Sequence, residues 1–225
     1  MSSNSFFAKS LRFIGIVLMA LTGGFTLLGG IGTTCAALFP TKYDSMAALA
    51  PFQWLYILFV LTGIIIGVMG VRATIMLVKG ADKSYQAAFD SLLAGVVVGI
   101  IHIIVSRALR GKSMPVDAVV YTTIFTLLIF MLFKIPAIWQ GVDFTKAKAS
   151  DSKTAGGAAA IALGLFTLTV QYTMGATHTW GGVNYADAFN TSMTVIGIGL
   201  LLLGAGIFIS LRYVKGTALK LQVQQ

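Results

Sequence analysis

The chain has 225 residues, of which 57% are hydrophobic and only 10% charged, with a formal charge of +9. Soluble domains carry about 25% charged residues, and a water-facing fold needs far more polar cover than this chain has. The composition excludes an ordinary soluble domain and points to lipid as the solvent: an all-α integral membrane bundle. The basic residues are scattered over short segments rather than gathered in a stripe, which argues against nucleic acid as a partner. All seven acidic residues are aspartates, so glutamate catalysis and glutamate metal ligation are excluded. A single cysteine, Cys35, excludes an intramolecular disulfide and any CxxC redox or zinc pair.

A spanning helix needs about 20 mostly apolar residues. Six stretches qualify as transmembrane helices, and they make residues 1–225 one transmembrane domain. The first, about 11–39, follows a basic start that superficially resembles a signal peptide. Its apolar run continues to Phe39 without a small-x-small cleavage site, so it reads as a retained helix. It is long enough to require a tilt, kink or break, which its glycines at 23, 24, 29, 30 and 32 would ease. Pro40 closes it and Pro51 opens the second stretch, about 52–78. The third, about 85–106, carries Asp90 and His102 and is the weakest. The fourth, about 117–139, follows a break at Gly111 to Pro115. The fifth, about 155–177, and the sixth, about 191–214, complete the set. Gly63 with Gly67, and Gly95 with Gly99, have the spacing at which helix backbones approach closely.

With the N-terminus cytoplasmic, twelve basic residues fall on inner segments and four on outer ones. This bias, with an even helix count, places both termini inside. Arg107, Arg110 and Lys112 break the rule. They are a tolerated exception, a sign that the third segment is re-entrant, or a site for something anionic such as a lipid headgroup.

Membrane depth groups the remaining polar residues. Arg72, Asp90 and Lys134 share a level near the inner face, which predicts that Asp90 pairs with Lys134 or Arg72. Such a pair would either lock helices together or couple to protons or ions. Near the outer face lie Cys35, His102 and His178, with Arg107 and Arg110. Together they could make a nucleophile, a base and an anion stabiliser, or the histidines could ligate a metal, haem or chlorin. Buried cysteine and lone helical histidine more often simply pack. The outer loop THTWGGVNYADAF, 177–189, with Trp180, Tyr185 and Asp187, is an interfacial anchor, a lid or a partner-docking loop.

No P-loop, HExxH, GxSxG or dinucleotide turn is present, and the sequence assigns no metal and no cofactor. Three functions fit a multi-pass protein of this kind. The first is a non-enzymatic subunit or scaffold of a larger assembly, partnered by the bilayer, other membrane subunits or anionic lipid. The second is a small transporter, channel or substrate-binding component, with the threonine-bearing first helix broken at mid-membrane and Gln171 adding an amide. The third is an intramembrane enzyme using Cys35, His102 or His178.

Overall fold

A computed structural model of the chain describes residues 2–42, 44–175, 178–180 and 182–223. Thr177 and Gly181 of the outer loop, and the side chains of Gln171, Trp180 and Tyr185, lie outside the described part. The elements are α1 (Phe6–Gly32), α2 (Thr34–Leu38), α3 (Gln53–Lys79), α4 (Ser84–Arg110), α5 (Val116–Phe133), α6 (Pro136–Val142), α7 (Ala149–Leu168), α8 (Val170–Thr173) and α9 (Asn190–Val223). A two-residue antiparallel pairing joins Thr179–Trp180 to Val183–Asn184 before α9.

Local chemistry explains the ends. Ser5 accepts a hydrogen bond from the Ala8 amide and starts α1. Gly80 stops α3 at φ 62°, with its own amide on the Leu77 carbonyl and the Ala81 amide on Met76, the Schellman pattern. Gly111 stops α4 with one bond to the Arg107 carbonyl. The first apolar stretch breaks at Thr33, near its far end rather than at mid-membrane. There the Thr33 hydroxyl bonds the Gly29 carbonyl and competes with the helical ladder among glycines.

Five helical stretches among the described residues are long and apolar enough to cross a membrane: Phe6–Leu38, Met46–Lys79, Ser84–Arg110, Val116–Phe133 and Asn190–Val214. The helix in the expected fifth segment, 155–177, has different bounds. Its helix starts earlier, on the polar turn of Ser150, Asp151 and Lys153, and stops at Leu168. Thr167, Thr169 and Thr173 turn their hydroxyls back onto the carbonyls of Leu163, Leu165 and Thr169, and the chain restarts as the single turn of α8. The fourth segment also ends early, at Phe133, and Pro136 opens the separate α6. The third is a continuous helix of 27 residues, about 40 Å long, without a break at which a re-entrant segment would turn.

The helices form one bundle with α1 in its middle, touching α3, α5, α6 and α7; α3 packs on α4, α4 on α5, and α9 chiefly on α7. We call the end where α1 starts proximal and the other distal. An aromatic proximal core includes Tyr85, Phe130, Phe133 and Phe144, and a distal core surrounds Leu49, Tyr56 and Phe59. The glycine pairs serve packing: Gly63 and Gly67 meet Gly30 and Leu27 of α1, while Gly95 and Gly99 meet Thr123 and Val120 of α5.

Beyond the spans, Asp143 closes the α6–α7 connection. Burial alone would push its carboxyl up, but two hydrogen bonds from Thr145 and the Lys146 ammonium at 3.0 Å outweigh it and hold Asp143 below the ordinary 3.8. A depressed folded-state value contributes stability above the unfolded pKa that is lost as pH falls through the folded one. The wild type should therefore lose more of its thermal midpoint than Asp143→Asn between neutral pH and about pH 3. Parallel loss in both would remove Asp143 from the account.

Candidate functional site

The distal polar residues separate into two environments. His102 is buried, stacked on Phe59 with ring centroids 4.3 Å apart and edge-on to Tyr56 at 5.5 Å. The Tyr56 hydroxyl lies 2.8 Å from Ser106 Oγ and ties α3 to α4 one turn further out. Cys35 packs partly buried against the distal core as a small hydrophobe. No hydrogen bond joins Cys35 to His102 among the described residues. His178 belongs to the α8–α9 connection, where Nδ1 lies 3.0 Å from the Met174 carbonyl oxygen. In the same connection Asp187 is exposed within the turn Tyr185–Phe189. No group of three His, Cys, Asp or Glu that could hold a metal occurs among the described residues.

The rule-breaking cations have a specific arrangement. Arg107 donates from Nε to Ser113 Oγ at 2.9 Å and from Nη2 to Asp117 Oδ1 at 2.9 Å, and its Nη2 lies 3.4 Å from the Tyr121 hydroxyl. Ser113 Oγ is also 2.8 and 2.7 Å from the two Asp117 oxygens. The Asp117 carboxylate is buried, so the arginine neutralises it while remaining half in solvent. This network closes the α4–α5 turn. Arg110 reaches the Lys112 carbonyl, at 3.5 Å, and its buried Nε has no hydrogen-bond partner among the described residues.

At mid-bundle the hydroxyls of Thr22, Ser91, Thr123 and Thr126 bond one another or their own helices. Thr126 donates to the Thr122 carbonyl at 2.9 Å, so the Thr22 hydroxyl, 2.7 Å away, donates to Thr126 and links α1 to α5. Thr123 and Ser91 bond carbonyls of their own helices. The void bounded by Thr22, Thr26, Ser91 and Thr123 measures about 10 Å³, the lower limit for one water. That is too little for a substrate.

The proximal face carries the larger opening. The expected pairing of Asp90 with Lys134 or Arg72 is not formed. Asp90 accepts from Gln86 Nε2 at 2.6 Å, one turn back on α4. The ion pairs among the described residues are instead Lys9–Asp151, Arg107–Asp117 and the local pair Asp143–Lys146. Lys134 takes part in none of them. Its Nζ lies 4.5 Å from the ring centroids of both Tyr85 and Trp139, whose rings meet edge-on at 5.0 Å. The Tyr85 hydroxyl in turn donates to the Phe130 carbonyl at 2.7 Å, which fixes this wall of the cage. Beside it opens a cleft of about 180 Å³ lined by Lys83, Ser84, Tyr85, Gln86, Lys134, Trp139, Asp143, Phe144 and Thr145.

Comparison with protein-family models, curated proteins and solved structures finds no match to this chain.

Two members of the expected inner cluster face outward. Arg72 and Asp90 are both exposed, on the outer stripes of α3 and α4. Leu61, Ile65, Val68 and Ile75 flank the arginine at helical spacing, and Leu93, Val97 and Ile104 continue the stripe of the aspartate. Three residues with clear structural roles are missed by the sequence reading. Asp117 is one, because a count of the basic turn stops short of the acid ten residues beyond Arg107. Arg12 counts in the sequence only as an inner cation, and it is buried. Trp139 falls in the sequence at the end of a span, and it forms half of the Lys134 cage.

Proposed function

We propose that this chain is a non-catalytic subunit of a membrane assembly, and that it pairs with a second copy of itself through the outward face of α3 and α4. The observation that carries the reading is the exposure of Arg72 and Asp90 among apolar side chains. Arg72 lies seven residues before the end of α3, and Asp90 six residues after the start of α4. At 1.5 Å per residue both sit about 10 Å inside the helix ends. Ionisable groups at such positions normally face a protein interior or a partner.

A two-fold axis along the membrane normal preserves depth. It sets Arg72 of one copy level with Asp90 of the other, and the reverse, giving two reciprocal ion pairs. Six spans with both termini cytoplasmic complete the reading. It is supported by the bias of basic residues and by the position of α7 between α1 and α9.

The test is a charge exchange measured by the mass of the particle in lipid nanodiscs. Arg72→Asp and Asp90→Arg should each weaken the dimer at least about tenfold, because like charges then face one another. The double exchange should restore it. A monomeric wild type, or a dimer indifferent to both single variants, rules the interface out.

A further inference from the structure

We propose that the proximal cleft beside Lys134 binds a phosphate group. Its two lysines come from different walls, Lys83 at the start of α4 and Lys134 at the end of α5. The one carboxylate in the lining, Asp143, is already committed to Thr145 and Lys146. The cleft is therefore cationic. Lys134 is also held in an unusual way: two aromatic rings fix its ammonium at 4.5 Å without neutralising it. A cation that is positioned by rings and lacks an acid partner keeps its N–H donors for an anion.

The volume of about 180 Å³ is far above what one water requires, and the residues around it combine polar side chains with the rings of Tyr85, Trp139 and Phe144. The level suits the ligand. The cleft opens at the ends of two spanning helices, where headgroup phosphates lie, and Trp139 and Tyr85 are the residue types that favour this zone. Each lysine at such a surface adds about fivefold in affinity toward an anionic headgroup. The phosphate could belong to an inner-leaflet lipid or be free in the aqueous phase.

The experiment uses the full chain in detergent, with bound lipid counted by native mass spectrometry. Phosphatidylglycerol and phosphatidylcholine are the probes, with inorganic phosphate as competitor. The wild type should hold phosphatidylglycerol in preference to phosphatidylcholine. The variant Lys83→Gln/Lys134→Gln should lose that preference at least about tenfold. A control, Lys42→Gln/Lys112→Gln, makes the same change in net charge at the distal end and should keep it. Displacement by millimolar inorganic phosphate assigns the site to the free anion, and retention assigns it to the lipid. Equal binding of the two lipids without any effect of inorganic phosphate overturns the proposal. So does an equal loss in the distal control. Circular dichroism and the thermal midpoint of each variant separate loss of the site from loss of the fold.

Discussion

Gly67→Ala is expected to destabilise the bundle by about 1–3 kcal/mol, although alanine is the better helix former. A methyl group at this position would lie 2.6 Å from both the Cα and the amide nitrogen of Leu27. Those are backbone atoms of α1, so no side chain can rotate out of the way. Either the methyl is strained or α1 moves, and α1 is in contact with α3, α5, α6 and α7. Gly23 against Gly70 and Gly30 against Gly63 extend the same close approach along the crossing. Gly206 supplies the contrast. Its added methyl would meet open space, so Gly206→Ala should be neutral or stabilising by up to about 1 kcal/mol. Thermal unfolding of both variants in one detergent separates packing from propensity. Equal midpoints would show that the α1–α3 crossing is not tight.

Arg12→Ala should cost about 2–4 kcal/mol. Its guanidinium is buried inside the proximal end, donating from Nη1 to the Gly141 carbonyl at 2.6 Å and from Nη2 to the Ser3 carbonyl at 2.7 Å. One side chain thus ties the N-terminal residues and α6 to α1. Alanine would leave a void and an unsatisfied carbonyl on Gly141. Arg12→Lys should recover little, since a single ammonium cannot span two carbonyls that a planar fork reaches together. Arg12→Met should fall between, filling volume without a donor. Full stability in Arg12→Lys would show that charge alone, rather than the fork, is what the site uses.

The apolar spans are legible in the sequence because length and hydropathy are local properties. Where threonines turn back on the backbone, as at Thr33 and Thr169, the ends are not, since a break depends on hydroxyl geometry that composition does not record. Depth can be read from the sequence, and rotation about the helix axis cannot. Arg72 and Asp90 sit at matching distances from their helix ends, and Lys134 closes α5 on the same side. Yet Lys134 turns inward to two rings, while Arg72 and Asp90 turn outward. For the same reason the sequence does not show that His102 lies against Phe59 and Tyr56. The pairing of Arg107 is hidden from a count of loop charges because its acid partner sits on the next helix.

The central position of α1 also orders events in time. Its contacts with α3, α5 and α6, and those of α3 with α4 and α4 with α5, all join residues that precede α7 in the chain. A ribosome releasing the chain from its N-terminus delivers every partner in this group before α7 emerges. The pair α7 and α9, delivered last, has its own seam, with Gly157 against Gly204 and Gly164 against Gly197, and rests on α1 and α3.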